Sequence, residues 1–427
     1  SYAGLSNTTG NNNSVIGRSS LYYNTTGENN TALGKSALQN NTTASNNTAV
    51  GNEALLSNTT GTKNSALGAY ALDANTTADH NTALGYSALG ANTTGSSNTA
   101  VGDRALNANT TQANNVAIGY RALINQTVAD QNTAVGADCM YTNTTGEYNV
   151  AMGFMTMYNN TTGQENTAIG YQALLANTTA NNNTAVGANC LAANTTGGEN
   201  TALGKSALDA NTTGDNNTAV GSSALSANTT ASSNVAVGMR ALQVLTTGGG
   251  NTVVGKDAGQ SVTTGDNNVL FGIDAGRSGS PSGNITTGSN NVCIGDNNIS
   301  NAYIKVDWTV TSDRRDKTDI ESFNHGLSWI NKLKPVTYRW DNRSDYEDGI
   351  SDGSKKGSQL NIGLIAQDEL EVEREHGYGD TPDNMLVSHV NDDGNYGMQY
   401  SKLVPILVNA IKELSAEVEQ LKSQLNN

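Results

Sequence analysis

The chain has 427 residues, a formal net charge of −15, and a composition that changes sharply near residue 300. It carries no basic stripe that could replace counterions on a phosphate backbone, which excludes nucleic acid as a partner. No run of about 18 apolar residues exists, which excludes a membrane-spanning helix. No signal peptide precedes the first repeat, and we expect the natural chain to continue upstream of Ser1 with an anchoring region.

Glycine recurs every 17 residues from Gly17 to Gly272, and the consensus N-T-T-G/A-x-x-N-T-A-V/L/I-G-x-x-A-L-x-A can be followed for sixteen copies. A six-residue insertion around Ser280 to Asn284 delays the last copy, whose glycine is Gly295. A repeat this short cannot bury its own apolar face, so neighbouring copies must stack. Because a helix pair needs about 33 residues, the pattern predicts a mainly β fold, a solenoid of parallel coils over residues 1–300.

Residues 41–57 represent one coil. The Asn-Thr-Ala-Val segment at 47–50 predicts a strand ended by Gly51, which we expect to adopt a backbone conformation closed to residues with a Cβ. Ala54-Leu55 is predicted to form a second short strand, followed by a turn at Asn58-Thr59-Thr60. We expect like Asn and Thr side chains of successive coils to form hydrogen-bonded ladders.

The Asn-Thr-Thr triplets also match the N-glycosylation acceptor pattern, but turn formation explains them better. Thr-rich solenoids can also bind ice, yet an ice-binding face needs Thr-x-Thr strands without the apolar neighbours that this repeat places beside its threonines. Ice binding also leaves the different sequence that follows residue 300 unexplained.

Ala49 and Val50 are adjacent in the predicted strand and both apolar. Because successive side chains of a strand point to opposite faces, both faces of the strand must be shielded from water. The small slot suits the interior of a coil. The bulkier slot predicts an aliphatic stripe along the outside, formed by Ile16, Leu33, Val50, Leu67, Leu84, Val101 and their successors. Such a stripe is too large for a soluble monomer. We therefore predict lateral association, most simply as a closed trimer around the stripe.

Four aromatic residues follow the repeat glycine directly, where a side chain should be exposed: Tyr86, Tyr120, Phe154 and Tyr171. Aromatic groups two coils apart would be roughly 10 Å from one another, a spacing compatible with stacking on the sugar rings of a glycan. The alternative is incidental packing on the surface or in a groove.

The sequence predicts neither a metal site nor a cofactor. Cys139, Cys190 and Cys293 lie in repeat slots for small side chains, and we expect them to be buried hydrophobic residues. The four histidines, at positions 80, 325, 376 and 389, show no ligand spacing.

After the repeats, the alternation from Ala302 to Thr311 predicts a strand that leaves the solenoid. The next segment places the Ser312 hydroxyl five residues before the Lys317 ammonium. A lysine acts as a general base only if burial or a neighbouring cation lowers its pKa, and Arg314 and Arg315 could supply that positive charge. Taken alone, this pattern is more typical of a solvated charged turn.

Several motifs follow in order: T-S-D-R-R-D-K-T-D-I at 311–320, L-K-P-V-T-Y-R-W at 333–340, I-G-L-I-A-Q-D-E-L at 362–370, and V-S-H-V-N-D-D-G-N-Y-G-M-Q-Y-S-K-L-V-P-I-L-V-N-A-I-K-E-L at 387–414. On these motifs, residues 308–427 resemble the intramolecular chaperone and autocleavage domain at the C-terminus of bacteriophage tailspikes and tail fibres, such as endosialidase (peptidase family S74). The resemblance implies a small α+β domain that aligns three chains, lets the β-structured shaft fold, and then cuts itself off.

By match to the family motif, the cut falls between Thr311 and Ser312. Ser312 is the nucleophile, Lys317 its base and Asp313 an orienting neighbour. The resemblance thus implies a single-turnover self-cleaving serine peptidase with no external substrate. The resulting domain limits are the shaft at 1–300, a connecting strand with the cleavage site at 301–311, and the chaperone domain at 312–427.

The shaft also resembles the left-handed parallel β-roll heads of trimeric adhesins of the YadA kind, which carry N-S/T-A-V/I/L-G-x-x-A cores. Together the two resemblances imply a homotrimeric phage tail fibre in the virion tail. It would be assembled in the host cytoplasm, bind a glycan receptor on the host surface, and join an upstream tail or baseplate protein. The alternative is a bacterial surface adhesin or structural spacer whose chaperone stays attached.

The last residues add an independent argument for association. Apolar residues there alternate spacings of three and four, the seam of a coiled coil over 403–427: Val404, Leu407, Ile411, Leu414, Val418, Leu421 and Leu425. β-Branched residues at a with Leu at d favour two strands. The trimer prediction therefore rests on the resemblance and on the outer stripe.

Overall fold

The computed structural model describes residues 2–305, 309–391 and 394–426. The chain divides into two compact units. The first comprises the residues up to Ile273 together with Thr287–Val292, and the second comprises Asp274–Thr286 and the residues from Cys293 onward.

The repeats form a parallel β-solenoid in which each coil adds one three-residue strand to a 17-stranded sheet. Except at the last step, each strand pairs with the strand 17 residues later, as in the register Ala49↔Ala66. The strands are β1 Ser14–Ile16, β2 Thr31–Leu33, β3 Thr48–Val50, β4 Ser65–Leu67, β5 Thr82–Leu84, β6 Thr99–Val101, β7 Val116–Ile118, β8 Thr133–Val135, β9 Val150–Met152, β10 Thr167–Ile169, β11 Thr184–Val186, β12 Thr201–Leu203, β13 Thr218–Val220, β14 Val235–Val237, β15 Thr252–Val254, β16 Val269–Phe271 and β17 Val292–Ile294. The predicted fold class is confirmed.

The six-residue insertion is also confirmed. Asn267 Nδ2 donates to Asn290 Oδ1 at 2.8 Å, across an offset of 23 residues instead of 17. The extra residues therefore leave the stack between β16 and β17 while the side-chain pairing continues.

Each strand presents its middle residue to the core and its outer residues to the surface. Ala49 has no exposed surface, while Leu67 and Ile16 in the bulkier slot are 48% and 67% exposed. The outward-facing aliphatic stripe is thus confirmed. In a single chain one face of the strand is left partly in water, because nothing in the same coil covers it.

The predicted second strand at Ala54-Leu55 was wrong. Gly51, Glu53 and Leu55 have φ values of +142°, +58° and +51°, so the segment alternates through left-handed backbone instead of extending. It still bonds to the next coil, with Leu55 N donating to Ala71 O at 3.0 Å. This conformation lets the consecutive side chains of Ala54 and Leu55 both enter the core, where neither has exposed surface.

The conformation predicted for Gly51 is confirmed. A Cβ at this position would lie 2.4 Å from the carbonyl oxygen of Gly68 in the next coil. The close approach of successive backbones at this corner, together with the positive φ, explains why the repeat requires glycine there.

The polar ladders are confirmed as well. Asn41 Nδ2 donates to Asn24 Oδ1 of the preceding coil at 2.8 Å and to Ala44 O at 3.0 Å. The Thr42 hydroxyl donates to Thr59 O of the following coil at 3.1 Å. Asn41 has no exposed surface, so its side chain caps the turn from inside the coil and cannot serve as a glycosylation acceptor in the folded chain.

The second unit combines helices with two antiparallel strand pairs. Its helices are α1 Leu327–Ile330, α2 Ala366–Glu375 and α3 Leu403–Leu425. Strand β18 Val336–Tyr338 pairs with β19 Asn361–Gly363, and β20 Ser388–Val390 pairs with β21 Tyr396–Met398. Its core forms around Trp329, Val372, Val387, Leu403 and Ile406.

The strand predicted from Ala302 to Thr311 does not form in residues 302–305 and 309–311. Tyr303 is 92% exposed, and an extended segment without a partner strand has no ladder to stabilise it. Val306, Asp307 and Trp308 lie outside the described residues.

Candidate functional site

Ser312 and Lys317 are brought together by a short 3-10 turn. Asp313 precedes the turn with extended backbone, Arg314–Asp316 form it, and the Lys317 N–H returns to Arg314 O at 3.3 Å. The chain thus folds back on itself within five residues. As a result, Lys317 Nζ donates to Ser312 Oγ at 2.6 Å.

Asp313 stabilises this turn through Arg315. Its Oδ1 accepts the backbone N–H of Arg315 at 2.9 Å, and its Oδ2 lies 2.6 Å from Arg315 Nη2. The side-chain hydrogen bond from Arg315, reinforced by the backbone N–H, lowers the pKa of the Asp313 carboxyl, and the same contact raises the pKa of Arg315. Arg315 is therefore committed to Asp313, which leaves Arg314 as the arginine of this turn without an ion pair in the described chain.

The pair of side chains has the geometry that a nucleophile and its base require, because heavy atoms at hydrogen-bond distance can transfer a proton. Both side chains are exposed in the single chain. The site as one chain forms it is thus open to water, and Val310 just before it is 78% exposed.

The apolar seam predicted for a coiled coil lies along α3 and is exposed over its whole length. Its seven side chains, Val404, Leu407, Ile411, Leu414, Val418, Leu421 and Leu425, each expose two fifths or more of their surface. The adjacent face of the first half of α3, formed by Leu403, Ile406 and Ala410, packs into the core. The helix predicted over 403–427 therefore forms through Leu425, with Asn427 outside the described residues.

The four aromatic residues of the shaft are all about half exposed. Phe154 and Tyr171, in adjacent coils, stack on each other with their centroids 5.9 Å apart and their planes within 13°. Tyr86 packs edge-on against Tyr70 at 5.8 Å, and Tyr120 carries the guanidinium of Arg121 at 4.6 Å. The four rings are thus partly covered by neighbouring side chains and partly exposed to solvent.

Sequence reasoning missed a polar cluster inside the second unit. Glu373 Oε1 accepts the backbone N–H groups of Val387 and Ser388 at 2.7 and 2.6 Å, so it pins the start of β20 to α2. One turn earlier, Glu369 Oε1 accepts Trp329 Nε1 at 2.8 Å. Two glutamates four residues apart on an otherwise charged helix gave no signal that both would be buried.

The cysteines are free and buried, as expected. Burial raises the pKa of the Cys139 and Cys190 thiols to about 12, which leaves them protonated and unreactive at neutral pH. In the described residues no three His, Cys, Asp or Glu side chains converge as a metal-binding group. No helix in the described part of the chain has the length and apolar character needed to cross a membrane.

Comparison with known proteins finds a family match for part of the second unit. The family model for the chaperone of endosialidase, peptidase S74, matches residues 312–378. The match begins at Ser312 and includes the whole turn that carries Lys317. No curated protein and no solved structure shows a match to the chain. The chain therefore carries a C-terminal chaperone domain of the endosialidase type behind a β-solenoid shaft.

Proposed function

We propose that the chain is a phage tail fibre whose C-terminal domain drives trimerisation and folding of the β-shaft and then releases itself by cleavage between Thr311 and Ser312. The observation that carries the proposal is the 2.6 Å contact between Lys317 Nζ and Ser312 Oγ. It lies at the first residues of the region that matches the chaperone of endosialidase.

The exposed apolar surfaces support a homotrimer. The outer stripe runs along the shaft, one residue for each coil, with Leu84 and Leu203 exposed by more than 40%. A second apolar surface, the α3 seam, exposes Ile411 by 67% and Leu425 by 85%. Surfaces of this extent are rare on soluble monomers, and a closed ring of identical chains would cover both without leaving an open end.

A groove at the start of the α3 seam gives further support. It encloses about 360 Å³ and is lined by Ile330, Leu333, Pro335, Ile362, Gly363, Leu364, Leu403 and Leu407. Leu407 belongs to both the groove and the seam, and Ile362 on β19 is 79% exposed. The apolar surface thus extends from the helix onto the β18–β19 pair, so self-association would bury part of the chaperone domain together with its helix.

The chemistry of release follows from the turn. A neutral Lys317 would accept the Ser312 hydroxyl proton as Ser312 Oγ attacks the Thr311 carbonyl carbon. The Thr311–Ser312 amide bond breaks as an ester forms on Oγ, and the Ser312 nitrogen takes the proton from Lys317 and leaves as an amine. Water then hydrolyses the ester and returns the hydroxyl to Ser312. The pair is open to water in a single chain. If assembly of the chains completes the active site, the cut is delayed until the shaft has folded.

The masses of the purified chains test this proposal. The full chain should yield fragments of residues 1–311 and 312–427, and Ser312→Ala should leave a single uncut chain that still sediments as a trimer. Ser328→Ala, which removes a hydroxyl in the same unit but outside the turn, is the matched control and should cleave normally. An uncut wild-type trimer would favour an adhesin or spacer with an attached chaperone, and a stable monomer would refute both.

A further inference from the structure

The strongest unassigned feature is the loop around the six extra residues that precede the last repeat. This insertion loop, residues 276–285, closes on itself, because Ile285 N donates to Gly276 O at 2.9 Å and the Ser280 hydroxyl donates to Arg277 O at 2.8 Å. Ile285 and Ser280 are each only 4% exposed. Compact loops of about 6–16 residues whose ends lie close together frequently carry a function, so this loop needs an explanation beyond connecting two repeats.

The insertion loop belongs to the same compact unit as the chaperone domain. That unit comprises Asp274–Thr286 and the residues from Cys293 onward, so it includes residues on both sides of the Thr311–Ser312 bond. Cleavage of this bond would therefore cut the main chain inside a folded unit and not at its border. Noncovalent contacts within the unit then decide whether the two fragments separate.

Side-chain hydrogen bonds join residues on the two sides of that bond. Asn391 Nδ2 donates to Ser282 O in the insertion loop. Asn297 Nδ2 donates to Ser344 Oγ at 3.4 Å, and the Asn297 N–H donates to Gly279 O of the insertion loop at 2.8 Å. Asn391 and Ser344 belong to the fragment that cleavage would release, whereas the other three residues stay with the shaft.

Both partners of the Asn391 contact are held in position by their own fragments. Asn391 Oδ1 accepts the Asn395 N–H at 2.8 Å, and the Asn391 N–H donates to Asn395 O at 3.0 Å, just after β20. The start of β20 is pinned to α2 by Glu373, which accepts two backbone N–H groups there. On the shaft side, the Ser282 hydroxyl donates to Cys293 Sγ at 3.3 Å. Because the partners are already ordered, the contact costs little conformational entropy.

We infer that the insertion loop is a docking site for the turn between β20 and β21, and that it keeps the chaperone fragment on the shaft after the Thr311–Ser312 bond is cut. Release is then a second step, governed by this contact. In the proposed trimer three such contacts act together, so the fragments separate more slowly than a single contact would allow. The inference deepens the release proposed above and rests on it for its role, although the contact can be tested without self-cleavage.

The full-length Ser312→Ala chain, with a recognition sequence for a site-specific protease inserted after the 92% exposed Tyr303, tests the inference. The added cut separates the two fragments whether or not the natural chain cleaves itself. Native size-exclusion chromatography should then show the C-terminal fragment eluting with the shaft. Asn391→Asp keeps the acceptor for the Asn395 N–H but places a carboxylate oxygen against Ser282 O. We expect the fragment of this variant to dissociate at least about tenfold faster, a change of about 1.4 kcal/mol or more.

Asn331→Ala is the matched control, because Asn331 is exposed in the same fragment, directly after α1 and away from the contact. Immediate loss of the fragment from the shaft without the Asn391 change would overturn the inference. So would equal dissociation of Asn391→Asp and the control.

A second variant keeps the test decisive if Asn391→Asp fails to assemble before the cut. Asn297→Ala removes the bond to Ser344 from the shaft side, and it should also speed dissociation relative to the control. Unchanged dissociation of this variant would then overturn the inference. Self-cleavage is measured separately on the chain that retains Ser312, so failure of the docking site leaves the proposed cleavage standing.

Discussion

The indole N–H of Trp329 donates to Glu369 Oε1 at 2.8 Å in the core of the chaperone domain, while Glu369 Oε2 has no hydrogen-bond partner among the described residues. Burial raises the pKa of Glu369 to about 7, opposed by the Trp329 hydrogen bond and reinforced by the negative charge of Glu373. The folded state therefore holds this proton more tightly than the unfolded state. The contribution to stability is complete below the ordinary pKa of 4.5 and is lost as the pH rises towards 7.

From this relationship we predict that the chaperone domain loses up to roughly 3 kcal/mol of unfolding free energy between pH 4.5 and pH 7 through this group. Denaturant unfolding followed by tryptophan fluorescence measures it selectively, because all three tryptophans, at 308, 329 and 340, lie in the C-terminal part of the chain. Glu369→Gln should flatten the pH dependence over that range. An unchanged slope in the variant would contradict the assignment.

A second prediction concerns the turn that joins Ser312 to Lys317. Asp313→Ala removes the acceptor of the Arg315 N–H, so we expect cleavage to slow several-fold, in line with the ~1 kcal/mol that a capping side chain contributes. Asp313→Asn keeps an acceptor oxygen and should slow cleavage less. The rate at which the 312–427 fragment appears on denaturing gels measures both. Equal rates for wild type and Asp313→Ala would show that the turn forms without this carboxylate.

The outer stripe can be tested within one coil. Leu84→Asp places a charge where association would bury it, and Thr77→Asp places the same charge on the exposed turn that precedes β5. Because Leu84 is already 42% exposed in the single chain, the coil itself should still fold. We expect sedimentation to show loss of the trimer for Leu84→Asp and its retention for Thr77→Asp, since an unpaired buried carboxylate costs several kcal/mol. An intact trimer from both variants would place the interface elsewhere.

The asparagine ladder offers an adjacent pair of buried and exposed side chains. Asn160 Nδ2 donates to Asn143 Oδ1 at 2.8 Å and to Gly163 O at 3.0 Å, and its Oδ1 accepts from Asn177. Asn160→Ala leaves these buried groups unpaired and should lower the free energy of unfolding by about 1–3 kcal/mol. Because Asn159 is exposed, Asn159→Ala should lower it by less than about 0.5 kcal/mol. Hydrogen exchange of the amides in residues 140–180 compares the two, and equal protection would argue against the ladder.

The sequence alone determined the parallel stack, its 17-residue register, the inserted residues and the outward stripe, because a strict repeat makes each coil the template for the next. It also determined the extent of α3, whose apolar spacing is helical. The Ser312–Lys317 contact was accessible from sequence, since a turn of five residues is local and its motif is contiguous.

Other features were decided only by tertiary structure. Ala54-Leu55 has the composition of a strand, yet the closing of each coil forces left-handed backbone at Glu53 and Leu55. The burial of Glu369 depends on Trp329, 40 residues away in sequence. The ion pair between Arg121 and Asp138 depends on the stacking of successive coils, which brings the two side chains into contact. Such relationships arise from the packing of segments distant along the chain, which local pattern and composition do not encode.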